Sequence, residues 1–203
     1  MKRIATKLAI LALVSCVARP LLASETIPLK NCTWCHGPSV QGYSNAPRLA
    51  GQQELYLEAQ LTNFRTHLRD NPYSRDFMWS AVAHLDEDMV RAFASYFASL
   101  PPEAADDGNR NLIATGRNIF EFGIPEANVA ACIVCHGPNG EGVRTIPRVG
   151  GLSYFYLKRR LDEWVAGYSS AAVPMPQVAR SLSGQDIEAL ASYLSFVGYS
   201  AGQ

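Results

Sequence analysis

The sequence predicts an all-α protein built as two tandem copies of one small helical domain. Three observations carry that expectation. The two halves align with each other at an offset of about 100 residues, each half places apolar residues at helical spacing, and the intervening segments are rich in glycine and proline without an alternating strand pattern. With 203 residues, 48% hydrophobic and 18% charged, the chain can bury the cores of two small domains or one medium domain and is not a disordered tail.

From the start of the chain, Lys2, Arg3 and Lys7 precede an apolar run from Leu8 to Val14 and a stretch of small residues near Ala23. This is the pattern of an export signal over residues 1–23. Arg19 and Pro20 interrupt the run before it reaches membrane-spanning length. Leu13-Val14-Ser15-Cys16 also fits a bacterial lipoprotein cleavage box, which would leave Cys16 as a lipid-bearing N-terminus and tether the protein to a membrane. Removal of residues 1–23 takes away Lys2, Arg3, Lys7 and Arg19 and leaves 14 basic against 18 acidic residues. A mildly acidic mature chain excludes a basic nucleic-acid surface, so no nucleic acid partner is expected.

The repeat is detailed. Cys32-Thr33-Trp34-Cys35-His36-Gly37-Pro38 is answered by Cys132-Ile133-Val134-Cys135-His136-Gly137-Pro138, and Pro47-Arg48-Leu49-Ala50-Gly51 by Pro147-Arg148-Val149-Gly150-Gly151. After a three-residue deletion the match resumes, pairing Met78 with Met175, Leu85 with Leu182 and Ala94-Ser95-Tyr96 with Ala191-Ser192-Tyr193. The proline-bearing, acidic stretch from Pro101 to Gly108 suits an exposed linker. Residues 24–100 therefore form a first domain, 101–110 the linker and 111–203 a second domain.

Within each copy the helices follow from spacing. Residues 53–68 and 154–166 are apolar-rich and free of proline, and 86–100 and 183–197 are amphipathic with Asp86 and Ser183 as caps. Residues 112–120 add a helix ahead of the second motif. The first copy has no room for an equivalent between the presumed cleavage point and Cys32.

Two cysteines three apart followed at once by histidine can begin a zinc site, a redox dithiol or a covalent haem attachment. Zinc needs a fourth nitrogen or sulfur donor, and the second copy has no histidine beyond His136. A thioredoxin-like dithiol needs a βαβ setting, which is absent. On a helical turn the two cysteines lie on one side and can each join a haem vinyl group, while the next residue, histidine, is brought under the iron. Two such motifs in an exported repeat predict two covalently bound haem c groups, on Cys32 and Cys35 and on Cys132 and Cys135, with His36 and His136 as iron ligands. In the second copy Met175 is the one methionine, so it is the candidate for the far side of the iron. In the first copy Met78 holds the equivalent place, whereas Met89 lies on an apolar helix face and His67 and His84 suit the surface.

From about residue 30 to the C-terminus, the chain resembles the two-haem class I cytochromes c of the cytochrome c4-like kind. The shared features, in order, are the CxxCH motifs, the Pro-Arg-x-x-Gly segments, the methionine loops and the final helices. The resemblance implies that the Pro47 and Pro147 carbonyls orient His36 and His136. It also implies that Arg48 and Arg148 face haem propionates and that Tyr56, Tyr156 and Trp79 pack beside the haems. The missing first helix of the first copy departs from the family and leaves that haem's edge more exposed. With histidine and methionine on each iron, the expected function is periplasmic carriage of single electrons between redox protein partners. Service as the electron-accepting subunit of a dehydrogenase is the alternative and a haem enzyme a more distant one. Membrane association would come through a partner or a lipidated Cys16.

Overall fold

The structure is a computed structural model that describes residues 29–168 and 172–198. The export signal, its cleavage near Ala23, and Cys16 lie outside the described residues. The first half contains α1 (Lys30–His36), α2 (Glu54–Arg65), α3 (Trp79–Val82) and α4 (Glu87–Ser99). The second contains α5 (Ile113–Phe122), α6 (Ile133–His136), α7 (Tyr154–Val165), α8 (Met175–Ala179) and α9 (Gly184–Ser195). Among the described residues there is no strand, only isolated antiparallel bridges such as Tyr43 with Ala46 and Val143 with Ile146.

The expected caps are present. The Asp86 carboxylate accepts the Met89 amide at 2.8 Å, and Ser183 and Asp186 cap α9 reciprocally. Caps of this kind stabilise a helix by about 1 kcal/mol each. Each half then buries its own apolar cluster. In the first, Leu57 and Phe64 of α2 meet Val90, Phe93 and Phe97 of α4, and in the second, Leu157 and Leu161 of α7 meet Ile187, Leu190 and Leu194 of α9. Two cores in one chain match the repeat.

The second half also packs α5 across α9. A Cβ on Gly116 would lie 2.0 Å from the Ala189 carbonyl oxygen, so only glycine permits this approach. Among the described residues the first half has no such helix. Its α4 residues Ala92 and Tyr96, which correspond to Ala189 and Tyr193, are exposed, whereas Ala189 is buried.

One local expectation is corrected. Met78 and Met175 were expected in loops, but Met78 ends a π-helical turn, Ser74–Met78, and Met175 opens α8. The prolines around Met175 do not prevent this, because the first turn of a helix has no use for the missing N–H. The linker is anchored to the second half through Asp107. The Asp107 carboxylate accepts from Ser153 Oγ and from the Tyr154 amide, both at 2.7 Å, at the start of α7.

Candidate functional site

Each Cys-x-x-Cys-His motif sits on a short helix that a tight chain reversal folds back upon. In the first half the Gly42 amide donates to the His36 carbonyl at 2.9 Å, and the Tyr43–Ala46 bridge returns the chain so that Pro47 faces the histidine. His36 Nδ1–H then donates to the Pro47 carbonyl at 2.7 Å. The second half repeats the construction, with His136 Nδ1–H donating to the Pro147 carbonyl at 2.9 Å. Both imidazoles are buried. Burial pushes both pKa values down against the opposing pull of the carbonyl bond, so the rings are held neutral with Nε2 carrying a free lone pair.

The motif cysteines Cys32, Cys35, Cys132 and Cys135 are in no disulfide. Burial raises the Cys32 pKa and pushes Cys132 up to about 11, the opposite of the depressed value an active redox dithiol needs. Among the described residues no three His, Cys, Asp or Glu side chains gather to hold a metal ion, so a zinc site has no donor set to draw on. Met78, half-buried, packs with Cys32 and Trp79 against the first core. Met175 is half-buried at the head of α8, which packs on α7. Met89 packs against the first core from α4, His67 is exposed and stacks on Trp79 at 3.9 Å between ring centroids, and His84 is exposed.

The two Pro-Arg segments do something the sequence did not foretell. Arg48 Nη1 and Nη2 donate to the Gly151 and Gly150 carbonyls of the other half, each at 2.8 Å, Nη1 also donates to the Glu103 carbonyl, and Nε donates to the Ala50 carbonyl at 3.2 Å. Reciprocally, Arg148 Nε donates to the Gly51 carbonyl at 2.9 Å. Gln52 pairs with the Arg148 backbone through both ends of its amide, at 2.9 and 2.7 Å. Expected to face propionates, Arg48 and Arg148 make these hydrogen bonds to backbone carbonyls across the seam between the halves. A guanidinium fork matches paired backbone carbonyls as well as it matches carboxylates.

A second seam cluster surrounds Tyr56 and Tyr156. Arg69 Nη2 donates to Tyr156 Oη at 3.3 Å, Arg160 and Arg159 pair with Glu163, and Asn71 donates to Glu163 at 3.2 Å. Burial pushes the Tyr156 phenol up, yet Arg69, Arg160 and Arg159 outweigh it and its pKa is lowered, whereas for Tyr56 burial and the neighbouring Tyr156 prevail and raise it. Sequence reasoning found the tyrosines and missed the arginines. The signal was the spacing in α7, where Arg160 sits between Tyr156 and Trp164 on a buried stripe.

Haem fits this arrangement. Arg69 Nε and Trp164 Nε1 are buried without a hydrogen-bond partner. Leaving two such donors unpaired costs about 1–3 kcal/mol each. Haem brings two carboxylates as acceptors, and two neutral imidazoles stand beside the thiol pairs that would bind it.

Comparison with known proteins agrees. The cytochrome c family model matches residues 23–101 and again residues 113–197. A cytochrome c-552 of Acidithiobacillus ferridurans is 32% identical over 168 residues, covering 81% of this chain and 73% of that protein. A thiosulfate dehydrogenase electron acceptor of Stutzerimonas stutzeri is 34% identical over 173 residues, covering 82% and 79%. The solved structure of cytochrome c4 from Acidithiobacillus ferrooxidans superposes with a TM-score of 0.78 at 32% identity, covering 82% of this chain and 98% of that one. With two such matches in sequence, two separate cores and a Cys-x-x-Cys-His helix in each, the chain belongs to the cytochrome c family and consists of tandem domains that each carry a covalently bound haem c.

Proposed function

We propose that the protein is a periplasmic di-haem electron carrier, with domains at residues 24–100 and 111–203 joined by 101–110. His36 and Met78 would hold the iron of the first haem, and His136 and Met175 that of the second. The observation that carries this reading is the repeated imidazole-to-carbonyl bond, His36 to Pro47 and His136 to Pro147, on two helices that each present two thiols. Pro47 and Pro147 fix the tautomer, and so aim Nε2 outward as a ligand. Haem c would supply one-electron chemistry when bound, and the Met78 and Met175 thioethers would favour its ferrous state. A histidine and a methionine side chain available for each iron support carriage rather than bond chemistry. No helix among the described residues is long and apolar enough to cross a membrane.

A narrower reading, in which the protein accepts electrons from one dedicated dehydrogenase, is supported by the 34% identity to an acceptor of that kind. Co-purification separates the two: a lone chain supports the general carrier, a stable complex with a catalytic subunit the dedicated acceptor. The ligand assignment is tested by Met175→Ala. About half of the methionine-to-ferric charge-transfer absorption should vanish, and the reduced protein should bind carbon monoxide at one haem. Met89→Ala should leave both properties unchanged. A full band and no carbon monoxide binding in Met175→Ala would mean that another side chain ligates that iron.

A further inference from the structure

Arg69 occupies a singular place at the seam. It follows α2 in the first domain, and its backbone carbonyl accepts Trp79 Nε1–H at 2.9 Å, which ties it to the residue next to Met78. Its guanidinium lies 4.7 Å over the Phe64 ring, donates to Gln60 Oε1 at 2.8 Å, and reaches Tyr156 Oη in the second domain. Its Nε is buried and unpartnered, and Trp164 Nε1 in the second domain is likewise. Arg160, 4.8 Å over the Trp164 ring, adds a further buried cation from the second domain, paired with Glu163.

Resting on the di-haem reading above, we propose that Arg69 is a shared counter-charge: one side chain of the first domain that serves haem carboxylates in both domains and so raises both reduction potentials. A cation held in a buried seam favours the ferrous over the ferric haem, because oxidation adds a positive charge nearby. A guanidinium also offers donors on more than one edge, so a single arginine can serve two acceptors where a lysine point charge cannot do so with the same geometry. Its ties to Trp79 in one domain and Tyr156 in the other place it where both halves feel its charge.

The test is a potentiometric titration of the holoprotein, with the two haems distinguished by their hyperfine-shifted methyl resonances. Arg69→Gln should keep two haems by mass and exclude carbon monoxide. At fixed ambient potential its reduced-to-oxidised ratio should fall by about threefold to tenfold at each haem, the order expected for one unit charge removed from an interior of effective dielectric near 20. Arg69→Lys should show a smaller fall at both. Gln53→Ala, which removes seam hydrogen bonds to the Glu141 and Gly142 carbonyls without removing charge, should leave both ratios unchanged. A shift confined to the first haem, or an equal shift in Gln53→Ala, overturns the proposal. If Arg69→Gln does not accumulate, Arg69→Lys decides: lowered ratios at both haems support the shared role, and unchanged ratios refute it. Carbon monoxide binding or fewer than two haems in the unaltered protein would instead refute the carrier reading itself.

Discussion

Arg48→Ala tests whether the Pro-Arg segments hold the domains together. Arg48 is 4% exposed and makes two hydrogen bonds of 2.8 Å to carbonyls of the second domain. Hydrogen bonds from a charged donor are worth about 1.5–3 kcal/mol each, and the carbonyls abandoned by truncation add a penalty of similar size. Against this stands the cost of burying the cation. Burial, with Arg148 adding repulsion, pushes the Arg48 pKa down to about 10 from 12.5, which corresponds to about 3 kcal/mol. At the low end of these ranges the balance favours the wild type by about 3 kcal/mol. For a chain of this size that lowers the melting temperature by about 6–12 °C. Because the lost contacts join the halves, calorimetry of the holoprotein should also show its transition broaden or split in two. An unchanged single transition would refute the assignment of Arg48 to the seam.

Two further outcomes follow from the geometry. Replacing Cys32 and Cys35 together with alanine should leave one covalent haem by mass spectrometry, and two remaining haems would refute the attachment site. Gly116→Ala should destabilise the second domain by about 3 kcal/mol or more in thermal melts, since the new methyl would sit 2.0 Å from the Ala189 oxygen. The gain in helix propensity, about 1 kcal/mol, is too small to offset this.

Much of the molecule was legible because it is written in local signals. Helix periodicity places α2, α4, α7 and α9 within three residues of their observed ends, and Asp86 and Ser183 announced two of the starts. The histidine-to-proline pairing came through the family resemblance, and the structure shows the corresponding hydrogen bonds. The seam was not legible. Arg48 and Arg148 were assigned by analogy to a negatively charged group, but a guanidinium in a chain of unknown tertiary arrangement gives no sign of which acceptor it will meet. Arg69 carries no periodic signal because it lies in an irregular segment beyond α2. Only the placement of Tyr156 next to it gives it meaning.

The repeat also conceals an asymmetry in how the two domains are stabilised. The second domain closes its core locally, by crossing α5 over α9 at Gly116, with Phe120 fully buried in the joint. Among the described residues, the first domain has no helix over the corresponding face of α4, where Ala92 and Tyr96 are exposed. What it has instead is the seam. Arg48, Gln52, Gln53, Arg69 and Asn71 all donate hydrogen bonds to the second domain. A domain of under 80 residues is marginal on its apolar core alone, so polar contacts with the neighbouring domain add materially to its stability. Two of those donors, Arg69 and Asn71, belong to the cluster around Tyr156 and Glu163, so some of the contacts that join the first domain to the second also hold the charge between the two halves. Stability and redox tuning therefore draw on the same interface.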